Sequence, residues 1–271
     1  MAFAPQIPLA GVAGWRFLER TAASQQAAFG KTAALAQDVA HFREKIGGVA
    51  SAADLVADRR LLKVALGAFG LEGDIDKKAF VRRVLEESLA DPKALANRLT
   101  APAYREMAEA FGFGAGGKTG SAGFADRIAA AYRTRAFEAA VGEANGDMRL
   151  ALNFRREMGR LSAGEKGGSW YEVIGSNALR QVFEKAYGLP ASFGRLDVDR
   201  QRDILRDRTS ALFGTADLSA FADKEHVEKT LTRFLACSQI EGGAAASPAL
   251  TLLGGGASGS AGLYNLLAAR G

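Results

Sequence analysis

Apolar residues recur every three or four positions from Gly14 to Ile240, the spacing that lays one face of an α-helix against a core. Trp15, Leu18, Ala22 and Phe29 begin the series, and Leu35, Val39, Phe42 and Ile46 continue it. Ser51-Ala52-Ala53-Asp54 has the form of a capping box, with the acid three residues after the serine. Asp91-Pro92 has the form of an N-cap followed by a first-turn proline and predicts a helix start. Ala68-Phe69-Gly70-Leu71, Ala110-Phe111-Gly112-Phe113 and Ala186-Tyr187-Gly188-Leu189 each place glycine after an apolar run, followed by a hydrophobic residue. That is the left-handed glycine stop, where positive φ is costly for other residues. No segment alternates apolar and polar positions with β-branched residues, so the expected fold class is all-α, without a sheet.

The helices fall into two similar series. Asp54–Leu71 aligns with Glu172–Leu189 at an offset of 172 − 54 = 118. Upstream, Ala27–Gly30 and Phe42–Gly47 align with Ala139–Gly142 and Phe154–Gly159 at 154 − 42 = 112. Downstream, Asp74–Lys77 aligns with Asp197–Arg200 at 197 − 74 = 123, and Asp91–Ala96 with Asp217–Ala222 at 217 − 91 = 126. Offsets that only grow along the chain are the mark of an internal duplication with loop insertions, the first insertion falling at Ser162–Gly168. The expected organisation is a first helical half over 12–113, a glycine-rich connector over 114–123 and a related second half over 124–240. Residues 1–11, with two prolines and no charge, are expected to be flexible. So is the tail 241–271, which has no charged residue from Gly242 to Ala269 and carries Gly254-Gly255-Gly256.

Composition adds limits. Hydrophobic residues at 48% and charged residues at 24% suffice for a buried core. The net charge of +5 is spread among acids, and only Arg59-Arg60, Arg82-Arg83 and Arg155-Arg156 are dense. Each has carboxylates nearby and reads as a solvated helix face rather than a nucleic-acid footprint. Cys237, the only cysteine, follows Phe234-Leu235-Ala236 and reads as a small packed side chain. His41 reads as flanking a packing face and His226 as an exposed helix residue; neither has the partners of a metal site or triad. The stretch before Arg16 reads as a poor secretory signal peptide and no run of about 18 apolar residues could span a bilayer, so no secretory signal and a cytoplasmic location are expected.

One motif invites a catalytic reading. Gly112-Phe113-Gly114-Ala115-Gly116-Gly117-Lys118-Thr119 satisfies the phosphate-loop pattern, in which Gly112, Gly117, Lys118 and Thr119 would hold a nucleotide. Such a loop succeeds a buried strand and runs directly into a helix. Here Tyr104–Phe111 has the pattern of a helix, and Gly120 and Gly123 break the segment after Thr119. The expected reading is a connector, with no cofactor, no metal and no catalytic residue.

Gly14-Trp15-Arg16-Phe17-Leu18, Phe42-Arg43-Glu44-Lys45-Ile46 and Asp58-Arg59-Arg60-Leu61-Leu62 with Ala65–Leu71 carry a further signal, as do Ile75–Phe80 and Leu95–Leu99. On these motifs the chain resembles a domain-of-unknown-function family of alphaproteobacterial helical proteins encoded in flagellar gene clusters. The resemblance covers most of the chain to about Ile240. It implies an all-helical fold, supplies no active-site residues, and makes the Lys118 loop a variable connector. The expected function is therefore a non-catalytic helical interaction protein associated with the flagellum, with a protein partner and no nucleic acid. The alternatives are a nucleotide-binding protein using Gly112–Thr119 and a weak nucleic-acid binder using the arginine pairs.

Overall fold

A computed structural model describes residues 3–163 and 168–246, the last five as backbone. Among these residues there are thirteen α-helices, short 3-10 turns and no strand, so the fold is all-α. The chain groups into two compact units.

The first unit takes residues 17–149 together with the segment up to Pro8. It contains most of α1 (Gly11–Gly30), then α2 (Ala33–Lys45), α3 (Ala52–Ala57) and α4 (Arg59–Phe69). After these come α5 (Lys78–Glu86), the single turn α6 (Leu95–Arg98), α7 (Pro102–Phe111) and α8 (Phe124–Ala144). α4 is the central element. It buries Leu61, Leu62, Val64, Ala65, Leu66 and Ala68, and α2, α3, α7 and α8 pack around it. α8 lies beyond the glycine-rich connector yet adds Phe124, Ile128, Ala129 and Tyr132 to this core. The Phe111 ring is fully buried, with Phe124 at 5.2 Å edge-on and Phe113 at 5.7 Å.

The second unit takes residues 9–16 and the described residues from Leu150 onward. It comprises most of α9 (Gly146–Ala163), then α10 (Trp170–Gly175), α11 (Asn177–Ala186), α12 (Val198–Phe213) and α13 (Lys224–Ala246). Phe183 of α11 is its aromatic hub, with Phe154, Trp170, Tyr187 and Phe221 at 5.2 to 5.5 Å in edge-on contacts. Trp15 is buried in the same unit. Its indole N–H donates to Glu228 at 2.9 Å, and the Arg155 guanidinium lies 4.3 Å from its ring centre.

Helix ends match the sequence signals at several points. Ser51 and Asp54 close a capping box, and Ser169 and Glu172, 118 residues on, close another. Asp58 caps α4 and Ser176 caps α11 at the same offset. Gly70, Gly112 and Gly188 all have positive φ, at 74°, 65° and 62°. After Gly70 and Gly188 the chain turns back identically: Leu71 N–H donates to Leu66 and Leu189 N–H donates to Glu184.

Three local expectations change. Asp91 accepts the Lys93 amide at 2.8 Å and opens a turn, not a helix, and α6 begins only at Leu95 after Ala94. α13 continues to Ala246, past the expected start of the tail; the remainder of that tail, 247–271, lies outside the described residues. The N-terminal segment is hydrogen-bonded to α1, with Gln6 N–H donating to the Gln25 side chain at 2.7 Å and Gln25 donating back to the Gln6 carbonyl.

Candidate functional site

The Gly112–Thr119 loop lies between α7 and α8, and its polar groups are engaged locally. Ala115 and Gly117 donate their amides to the Gly112 carbonyl, Gly116 donates to Phe113, and Lys118 donates to Phe111. The amides that would wrap a phosphate are thus turned onto the loop's own carbonyls. Lys118 folds back over Gly112, where an added Cβ would stand 2.9 Å from its stem, and its ammonium donates to the Glu109 carbonyl at 2.9 Å. Thr119 is buried and donates to the Val49 carbonyl at 2.7 Å. Lys118 therefore closes the last turn of α7, and Thr119 ties the loop to the segment before α3.

The arginine pairs meet carboxylates. Arg59 pairs with Asp76, Arg60 with Asp38, Arg82 with Glu86, Arg83 with Glu87, Arg155 with Glu228 and Arg156 with Glu157. His41 lies 2.7 Å from the Asp58 carboxylate that caps α4. Burial alone would raise that carboxyl, but the Leu61 and Arg60 amides and His41 outweigh it and hold it below the usual carboxylate range. His226 is not the exposed residue expected. It stacks on Phe213 at 4.3 Å and its Nδ1 lies 2.8 Å from the Ala220 carbonyl, because the 3-10 turn Leu218–Ala222 brings that carbonyl over α13. Cys237 is half-buried, and burial pushes its thiol pKa up, away from the thiolate form. Among the described residues no three His, Cys, Asp or Glu side chains converge as metal ligands, and no helix is long and apolar enough to cross a membrane.

A well-formed concavity lies in the second unit. A cleft of about 610 Å³ opens between the start of α10, the middle of α12 and the turn before α13. Ser169 caps α10 and so fixes Trp170 and Tyr171 at its mouth; Trp170 turns inward and donates its indole N–H to the Ala216 carbonyl at 2.9 Å. One turn apart on α12, Arg202 and Arg206 reach its walls, Arg202 paired with Asp203 at 2.8 Å and Arg206 with Asp217 at 3.5 Å. Tyr171 stands at the rim. Its hydroxyl donates to Asp199 at 2.5 Å and its ring receives the Arg202 guanidinium at 5.5 Å. The Asp199 bond raises the phenol pKa, so the hydroxyl stays protonated and donating. Tyr171 is 45% exposed, and Leu196 and Val198, which flank the start of α12, are 39% and 47% exposed. An aromatic face and paired charges thus meet at the cleft, with two exposed aliphatic side chains at the start of the helix that forms one wall. Sequence reasoning missed this site, because Ser169 lies beside an insertion and Arg202 and Arg206 look like ordinary helix-surface charges.

The family model described as "Protein of unknown function (DUF1217)" matches residues 68–227, more than half of the chain. The chain belongs to the DUF1217 family. Among solved structures, this DUF1217 chain is similar to the X-ray crystal structure of Protein AGR_C_984 from Agrobacterium tumefaciens. The two share 27% sequence identity over 88% of this chain and 99% of that one, with a TM-score of 0.73. The likeness is to an alphaproteobacterial protein and extends well beyond the family match. No curated protein matches significantly. The matched range of the DUF1217 family includes the Gly112–Thr119 loop and all of the residues that line the cleft.

Proposed function

We propose that this chain is a non-catalytic helical interaction protein, associated with the flagellum in its assembly, regulation or structure. The cleft edged by Tyr171, with Leu196 and Val198 exposed nearby, carries the interaction part of the reading. Large apolar side chains beside a charged and aromatic cleft gain most from being covered by another chain. The flagellar part rests on the resemblance carried by Gly14–Leu18, Phe42–Ile46 and Asp58–Leu71. The same reading takes the chain as two related halves, supported by the paired capping boxes, N-caps and glycine stops at one offset. The internally bonded loop amides and the Lys118–Glu109 contact favour this reading over nucleotide binding, and the carboxylates on the arginine pairs favour it over nucleic-acid binding.

An affinity pull-down tests it, using a chromosomally tagged copy in a flagellated host with mass spectrometry. The expected result is recovery of flagellar export, basal-body or axial proteins, lost on Tyr171→Ala, together with impaired motility when the gene is deleted. Unchanged motility and no flagellar protein recovered from a flagellated strain would overturn the proposal.

A further inference from the structure

Between α1 and α8, within the first unit, runs an open groove of about 530 Å³. Its floor is almost free of side-chain bulk. Ala23, Ala27 and Gly30 line it from α1, and Ala130 and Thr134 from α8; Ala23, Ala27 and Ala130 are exposed. The two helices are tied beside it by the Phe29 and Phe137 rings at 6.0 Å and by Gln26 donating to the Thr134 hydroxyl at 3.1 Å. The α1 positions span seven residues, about 10 Å or two helical turns.

The charged residues lining this groove, Lys31 and Arg133, are both positive. Arg133 is unusual in one respect. Its Nε is enclosed and makes no hydrogen bond. The guanidinium groups of Arg155 and Arg180, also partly enclosed, hold carboxylates, Glu228 at 2.8 Å and Glu184 at 3.2 Å. Arg133 and Lys31 have none among the described residues. A partly desolvated guanidinium without an anion is a standing cost that an incoming carboxylate would remove, in the bidentate geometry the guanidinium favours.

We infer that this groove receives a helix of a partner protein, which sets small side chains on the alanine floor and an aspartate or glutamate against Arg133 and Lys31. A lone oxyanion would gain nothing from an apolar floor two turns long. A helix face does, because small residues on both sides let helix axes approach closely. The inference deepens the interaction reading and rests on it in one respect: the partner is a protein.

Site-specific photo-crosslinking in a flagellated host tests this, with the full chain carrying benzoylphenylalanine in place of Ala27 and the crosslinked peptides sequenced. The expected product joins Ala27 to one helical, acid-bearing segment of one protein. Arg133→Gln should cut its yield about tenfold or more, Lys31→Gln should cut it less, and Arg133→Lys should restore part of it. Circular dichroism confirms that each variant keeps its helix content. Crosslinking to lipid, to a segment without acid, or at a yield unchanged by Arg133→Gln overturns the inference, and so does no product. The same probe at Tyr171 separates the two readings. Capture at Tyr171 with silence at Ala27 removes the groove and keeps the interaction protein; silence at both removes both.

Discussion

The phenol of Tyr132 on α8 lies 3.3 Å from the buried carboxylate of Asp38 on α2. Asp38 also takes the Lys63 ammonium at 2.6 Å and Arg60 at 3.5 Å, both from α4. One carboxylate thus joins three helices of the first unit. Charge pairing offsets the cost of burying it, and the Tyr132 ring packs directly over Gly67.

That packing makes Gly67 a position where a normally favourable change should fail. Glycine to alanine inside a helix usually stabilises by up to about 1 kcal/mol. At Gly67 the new Cβ would stand 2.7 Å from two ring carbons of Tyr132. Gly67→Ala is therefore expected to destabilise by about 1–3 kcal/mol, seen as a lower urea midpoint. A raised midpoint would show that α8 shifts away freely.

The glycine stops separate two effects. Gly70 and Gly188 share positive φ, but a Cβ at Gly188 meets open space while one at Gly70 meets Arg135 Nη1 at 2.9 Å. Gly188→Ala is expected to cost about 1 kcal/mol from the backbone alone, and Gly70→Ala more. Equal losses in parallel denaturation curves would mean that the Arg135 side chain yields at no cost.

Trp15 should be sensitive in steps. Trp15→Phe keeps a ring for Arg155 but removes the donor to Glu228. A loss of about 1.5–3 kcal/mol is expected, as for a hydrogen bond to a charged group. Trp15→Ala adds a cavity, for a total of about 3–5 kcal/mol. Thermal unfolding of both variants distinguishes them, and identical losses would assign the effect to the indole N–H alone.

Alkaline pH should weaken the fold. Burial, then the bond to Asp74, pushes the Tyr104 phenol up to about 12. Tyr132 and Tyr187 are raised chiefly by burial and Tyr171 by Asp199. The unfolded phenols ionise near 10. Unfolding therefore releases protons above that value, and stability present below it falls as pH rises from about 10 toward 12. Phenolate absorbance should develop at higher pH in native than in denatured protein. Coincident curves would contradict the burial of Tyr132 and Tyr187.

The sequence was most informative where the signal is local. The Ser51–Asp54 box and the stops at Gly70, Gly112 and Gly188 depend on residues within one turn, and each holds. Asp91-Pro92 failed because the same carboxylate can cap a turn, and too few residues stand between it and Ala94 for a helix to form there. The partner of His41 is Asp58, on another helix start, and nothing adjacent to either announces the other. The cleft and the α1–α8 groove were invisible for the same reason. Ala23, Ala27 and Ala130 share the periodicity of core positions, and only the separation of the two helices leaves them uncovered.

The Trp15–Glu228 bond spans 213 residues, which sets a timetable for the molecule. A chain emerging from the ribosome can assemble the first unit once α8 is out, since domains form as their residues appear. Trp15 cannot settle then. It leaves the ribosome 213 residues ahead of its partner Glu228, which lies on the last described helix. Nascent protein must therefore carry an unsatisfied tryptophan until Glu228 has been made, and the second unit closes by joining one early segment, residues 9–16, to residues made long after it.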